Sequence, residues 1–184
     1  MLEPFPGAER GSYDIVAIRY VTLAITASEW ETSIKNLITL LKPGGWIQWI
    51  DSDDLRFYQS RPGTSVAAIK EVFESVASFG RGRNLAIGMI RKTAAILREE
   101  GLRDVWEDCF AGDRVAEDRE AEDRESKTRN GLEAMRSVLG RMATVEGSGW
   151  TVERRDRVSE EARREADDGA YFVLDQYCVV GKKP

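Results

Sequence analysis

The 184-residue chain has no histidine. That absence removes the commonest general base and the commonest metal ligand together. Serine–histidine–aspartate and cysteine–histidine nucleophile systems are excluded with it. Cysteine is scarce as well. Cys109 and Cys178 are too few for a disulfide framework. With no histidine beside them, they also exclude a structural zinc site. Both lie in apolar, strand-like runs, where cysteine serves as a small buried hydrophobe. No apolar run approaches the roughly 18 residues of a membrane span. The opening Met1-Leu2-Glu3-Pro4-Phe5-Pro6 lacks the basic and apolar stretches of a signal peptide. Positive charge is not in excess: 27 Lys and Arg stand against 32 Asp and Glu, a net charge of -5. The basic stripe of a nucleic-acid surface is therefore missing. Neither nucleic acid, membrane nor metal is expected as a partner. The expected location is cytoplasmic, with the nucleus as the alternative.

What is present is a globular composition, 42% hydrophobic and 32% charged. The length suits a single domain over residues 1–184. Tyr13 to Val21 is a nearly continuous apolar run, which reads as a strand buried on both faces of a parallel sheet. Ser28 and Glu31 have capping-box spacing. Trp30, Ile34, Leu37, Ile38 and Leu41 then recur at helical spacing, predicting an amphipathic helix over 29–41. Lys42-Pro43-Gly44-Gly45 stops it, and 46–51 reads as a second strand. Strand, helix and strand make a βαβ unit with a right-handed crossover. Helices are expected over 65–79 and 85–100, the latter capped by Asn84 and ended by Gly101. A strand over 102–110 follows. Residues 113–129 are dense in charge of both signs and read as a solvated helix or loop insertion. Helices over 131–145 and 156–168 and a strand over 171–180 complete the chain.

Gly80-Arg81-Gly82-Arg83-Asn84 looks like a cofactor loop but follows a helix, not a strand, so it reads as a turn. Gly147-Ser148-Gly149 fails the same way. Asp51, Ser52, Asp53 and Asp54 sit at the carboxyl end of a predicted parallel strand, where ligands of open α/β sheets bind. A carboxylate there holds a substrate amine or accepts a proton; a hard-cation site and a plain solvated turn are the alternatives. Arg19 interrupts an apolar strand near its carboxyl end and needs a partner, either a ligand carboxylate or a neighbouring loop. Trp46 and Trp49, three residues apart on one strand, point to opposite faces, into the core or toward a site.

The strings Tyr13-Asp14-Ile15-Val16-Ala17-Ile18-Arg19, Leu41-Lys42-Pro43-Gly44-Gly45-Trp46-Ile47-Gln48-Trp49 and Gly169-Ala170-Tyr171-Phe172 to Gly181-Lys182-Lys183-Pro184 resemble class I S-adenosylmethionine-dependent methyltransferases. The group resembled is the fungal LaeA-like and secondary-metabolism methyltransferases. Leu102-Arg103-Asp104-Val105 resembles the start of their sixth strand. Ala17 stands where many of them carry histidine. The resemblance implies an α/β, partial Rossmann-like fold whose strands run in the order 4-5-7-6, with helices on both faces. It also implies that strands 1–3, with the G-x-G-x-G loop and the ribose and adenine contacts, have no counterpart here.

The cofactor of the intact family is S-adenosylmethionine, which this chain is not expected to hold tightly. Arg19 and Tyr20 are the candidate cofactor-edge residues. Trp49, Asp51 and Asp53 are the candidate substrate residues; no catalytic residue is assigned. The Tyr13–Val21 strand, suited to a sheet centre, becomes an edge, which predicts self-association or a partner protein. Three functions follow. The chain is part of a methyltransferase acting on a small molecule, inactive alone; or a non-catalytic partner of an intact methyltransferase; or a small-molecule binding module built on the helices at 65–100 and 131–145.

Overall fold

In a computed structural model, the backbone is described for residues 1–58, 62–110 and 120–184, and the side chains of these apart from 54–58 and 120–124. Read as one domain from sequence, the chain groups into two compact units. The first comprises Met1–Asp54, Arg83–Ala111 and Asp175–Pro184, the second Leu55–Gly82 and Gly112–Leu174.

The first unit holds the strands β1 (Tyr13–Arg19), most of β2 (Leu41–Tyr58), β3 (Arg103–Phe110) and most of β4 (Tyr171–Lys182). They form one sheet in the order β1-β2-β4-β3. β1 and β2 are parallel and β3 and β4 antiparallel. The start of β2 meets the end of β4, as antiparallel neighbours do: Gly44 N–H donates to Lys183 O and Lys183 N–H to Gly45 O, both at 2.9 Å. This is the 4-5-7-6 order expected from the resemblance.

α1 (Trp30–Leu40) is the crossover between β1 and β2. Its capping box is Thr26 with Glu29, not Ser28 with Glu31. The Glu29 carboxylate accepts from Thr26 N–H at 2.7 Å. The same spacing occurs two residues earlier, and a 3-10 turn at Ala27–Glu29 starts the helix there. Glu31 instead pairs with Lys35 at 2.7 Å. Lys42-Pro43-Gly44-Gly45 is a bulge inside β2 rather than a turn before it. Tyr13 pairs with Leu41 but Ile15 with Trp46, so the intervening residues loop out opposite Asp14. Gly45 is required there. A Cβ would lie 3.0 Å from Lys42 O and 3.1 Å from both Asp14 O and Tyr13 O.

α3 (Ile90–Glu99) starts five residues later than expected. Asn84 is no cap. It has φ 54, and its carbonyl accepts from Ala27 N–H at 2.7 Å. The segment ahead of α3 is drawn into bonds with residues 22–27, a competition invisible to local helix signals.

α1 and α3 pack on one sheet face. Trp30, Ile34 and Leu37 of α1 and Ile90, Ala94 and Leu97 of α3 enclose Val16, Ile18, Ile47, Trp49 and Val179. Trp30 lies against Trp49 with centroids 4.6 Å apart, and its indole N–H donates to Thr93 Oγ1 at 3.1 Å. Helices on both faces were expected; within this unit α1 and α3 cover one. On the other face Ile15, Trp46, Trp106 and Phe110 are exposed. β1, read as buried on both faces, is therefore buried on one.

The second unit contains α2 (Ala67–Gly82), α4 (Glu120–Met142) and α5 (Val152–Asp167). Of the charged stretch 113–129, residues 113–119 lie outside the described residues and the rest opens α4. Ile69, Val72, Phe73 and Val76 of α2 supply the apolar stripe the spacing predicted. Phe73 packs on Phe172 at 4.6 Å. Glu165 of α5 caps α2, accepting from Ala68 N–H at 3.0 Å and Ile69 N–H at 2.9 Å. This carboxylate meets the positive end of the helix dipole and its otherwise unbonded amides. Among the described residues, no helix is long and apolar enough to cross a membrane.

Candidate functional site

The carboxyl end of β1 lies beside the middle of β2, with Arg19 opposite Ile50, because the strands are parallel. The last ladder bond runs from Tyr20 N–H to Ile50 O at 3.0 Å. Tyr20 then takes φ 52, a left-handed backbone that a bulky residue rarely adopts and that turns the chain away from the sheet.

Asp51, on the next position of β2, secures that turn. Its Oδ2 accepts from Val21 N–H at 2.9 Å and Thr22 N–H at 3.1 Å. Its Oδ1 accepts from Ser52 N–H at 2.9 Å. Asp51 is fully buried. Burial pushes its carboxyl above the ordinary aspartate value, against the pull of the Val21, Ser52 and Thr22 amides toward the charged form. The Trp49 indole N–H also favours the charged carboxyl without completing a hydrogen bond. The 20–27 segment is further tied down by Thr22 Oγ1 donating to Ala86 O at 2.6 Å and Ala86 N–H donating to Ile25 O at 3.0 Å.

Asp53 is two residues on and also buried, 7% exposed. It forms an ion pair with Arg91 in the first turn of α3. The Arg91 guanidinium lies over the Tyr177 ring, 5.5 Å from its centroid. Burial raises the Tyr177 phenol, and its hydrogen bond with Cys109 adds to the rise. Gln176 Nε2 donates to the Tyr20 hydroxyl at 2.7 Å. Burial raises the Tyr20 phenol too; Arg19 lowers it and Asp51 raises it by charge.

The plain solvated turn considered for residues 51–54 is overturned. β2 runs on through Tyr58, and Asp51, Ser52 and Asp53 are buried. Of the residues singled out from sequence, Tyr20, Asp51 and Asp53 gather at this end of the sheet. Arg19 sits beside them, exposed. Trp49 is fully buried against Trp30, on the face opposite half-exposed Trp46. Arg91, Gln176 and Tyr177 were not anticipated. The antiparallel β4 delivers its first half to the end where β1 finishes, and only the strand order could have pointed to Gln176 and Tyr177. Chemically, the cluster offers two phenols, an amide and a half-exposed guanidinium around two carboxylates already engaged.

The chain is 35% identical over 72 residues to the methyltransferase grgD of a Penicillium species, covering 39% of this chain and 25% of that one. It is 29% identical over 105 residues to the N-methyltransferase sirN of Leptosphaeria maculans, 57% of this chain and 36% of that one. The chain is similar to fungal methyltransferases. The relationship expected from residues 13–51 is thus borne out, over about a quarter to a third of the relatives' own length. No family model matches the chain. Among solved structures, Haemonchus contortus phosphoethanolamine N-methyltransferase 2 in complex with S-adenosyl-L-methionine overlaps 96% of this chain and 34% of that one, at 13% identity and TM-score 0.44. A Bacillus halodurans protein described as a putative methyltransferase overlaps 99% and 73%, at 14% identity and TM-score 0.45. Overlaps of that quality leave the fold assignment resting on the strand order itself.

Proposed function

We propose that this chain is the part of an S-adenosylmethionine-dependent methyltransferase fold that runs from the fourth strand to the last, and that alone it does not transfer methyl groups. The observation that carries the reading is the match to grgD, joined to a sheet whose order is that of the family's second half. The narrower LaeA-like, secondary-metabolism assignment and a small-molecule acceptor belong to the same proposal.

Among the described residues, those at this end of the sheet do not fit the cofactor by themselves. A ribose diol or an amino-acid ammonium group needs a carboxylate with free lone pairs. Asp51 is fully buried and holds three backbone amides, and Asp53 is buried and paired with Arg91, so neither presents an open carboxylate. Gly80 and Gly82 lie within α2, and Gly147 and Gly149 follow α4, so neither set makes a loop after a strand. Methyl transfer depends on holding donor and acceptor in line, which half a site does not do.

A second reading, a non-catalytic partner of an intact methyltransferase, draws support from β1. It stands at the sheet edge with Tyr13 and Ile15 exposed, and unpaired edges recruit other chains. Titration calorimetry of the purified chain with S-adenosylmethionine tests the proposal. A folded chain that gives no heat of binding supports it. Stoichiometric micromolar binding overturns it.

A further inference from the structure

The sheet of the first unit has one open face, and its side chains follow from register. Ile15, Ala17 and Arg19 of β1 stand beside Trp46, Gln48 and Ile50 of β2. Trp106, Asp108 and Phe110 of β3 stand beside Val180, Cys178 and Gln176 of β4. None of these residues belongs to the core cluster under α1 and α3. Val180 and Cys178 at the centre are buried, but the flanks are not: Ile15 is 65% exposed, Trp46 37%, Trp106 49% and Phe110 57%. Scattered apolar residues on a surface are ordinary. Three aromatics and an isoleucine are exposed on the two flanks of one sheet face, with the Lys182 ammonium 5.6 Å from the Trp46 ring centroid, and apolar groups gathered on one face mark an interaction surface.

Four strands about 4.8 Å apart, seven residues long at about 3.3 Å each, span roughly 450 Å² in plan. Two such faces meeting remove about twice that, and knobbed side chains carry more accessible area than their plan. The plan area of the two faces is about 900 Å², in the range of a weak, concentration-dependent dimer.

Charge on the face chooses the occupant. The basic Arg19 lies on β1 and the acidic Asp108 on β3, at opposite edges of the sheet. β1 and β3 run the same way, so both charges lie toward the same end. A two-fold axis between two faces, parallel to the strands, lays β1 of one copy over β3 of the other. Arg19 then meets Asp108 of the second copy, and Ala17 meets Trp106, twice each by symmetry. Aligned face-to-face packing of twisted sheets is a standard arrangement. An axis across the strands would lay β1 on β1 and leave both charges without a partner. We infer that the open face formed by β1, β2, β4 and β3 binds a second copy of this chain, giving a two-fold β-sandwich dimer locked by Arg19–Asp108 pairs. This surface is distinct from the edge of β1 and does not depend on cofactor binding.

The test is sedimentation velocity over a concentration series of the full chain. The parent is expected to dimerise. Trp106→Glu and Phe110→Glu should each weaken the dimer by about tenfold or more, since they bury a charge at the contact. Both residues are exposed, so circular dichroism should be unchanged. Arg19→Asp and Asp108→Arg should each weaken it by placing like charges together, and the double variant should restore it. Within one copy the two residues are separated by the two intervening strands. A parent that stays monomeric overturns the inference, as does a double variant no better than the singles. A dimer indifferent to Trp106→Glu but broken by Ile15→Asp also overturns it and moves the contact to the edge of β1.

Discussion

Replacing Asp51 by asparagine isolates the turn that shapes the candidate site. In the native chain the carboxylate accepts three backbone N–H groups, from Val21, Thr22 and Ser52. A hydrogen bond to a charged acceptor contributes about 1.5–3 kcal/mol, and desolvating the carboxylate takes back much of that gain. In the variant the amide oxygen serves Val21 and Thr22, and the amide nitrogen then faces the Ser52 N–H, donor against donor. The expected loss is about 2 kcal/mol. With a urea slope of about 2 kcal/mol/M, the midpoint falls by about 1 M. Trp30 and Trp49 are fully buried in the first unit and report its unfolding by fluorescence.

The pH dependence has a sign. Burial raises the Asp51 carboxyl in the folded chain. The folded chain therefore holds that proton more tightly than the unfolded chain. The resulting stabilisation is present below the ordinary aspartate pKa and is lost as pH rises through the raised folded value. Asparagine lacks it, so the gap between parent and variant should widen on acidification. An asparagine variant within about 0.5 kcal/mol of the parent at neutral pH would refute the clamp. A gap that narrows on acidification would refute the dominance of burial over the amide donors.

Other substitutions probe the frame around it. Gly45→Ala should cost about 1–3 kcal/mol in thermal or urea unfolding, because its Cβ has three carbonyl oxygens within 3.1 Å and backbone does not yield cheaply. Glu165→Gln should lower the stability of the second unit by about 1 kcal/mol, read by helical circular dichroism, as the α2 amides lose a charged acceptor. Arg91→Met leaves buried Asp53 without its cation. The urea midpoint should fall, and adding Asp53→Asn should recover part of the loss in a double-mutant cycle.

Local signals carried the elements whose rules are local. The α1 stripe of Trp30, Ile34 and Leu37 and the α2 stripe of Ile69, Val72, Phe73 and Val76 were legible because a buried helix face repeats every three or four residues. Signals failed where distant segments competed. Asn84 has the chemistry of a cap, yet its carbonyl is bonded to Ala27 and its backbone is left-handed. Lys42-Pro43-Gly44-Gly45 has turn chemistry, and β1 makes it a bulge.

The site divides the same way. The sequence by itself determined that no histidine chemistry operates here, that a βαβ unit forms, and that carboxylates follow the apolar part of β2. Those conclusions need only residue identity and short-range periodicity. Tertiary structure alone decided what the carboxylates do. Asp51 meets amides thirty residues away and Asp53 meets an arginine on α3, so groups legible as ligand-binding are engaged by the chain itself. It also decided that β1, apolar enough for a sheet centre, is buried on one face only. Periodicity shows how apolar a strand is, but the neighbours that cover it come from the strand order and from where the helices pack.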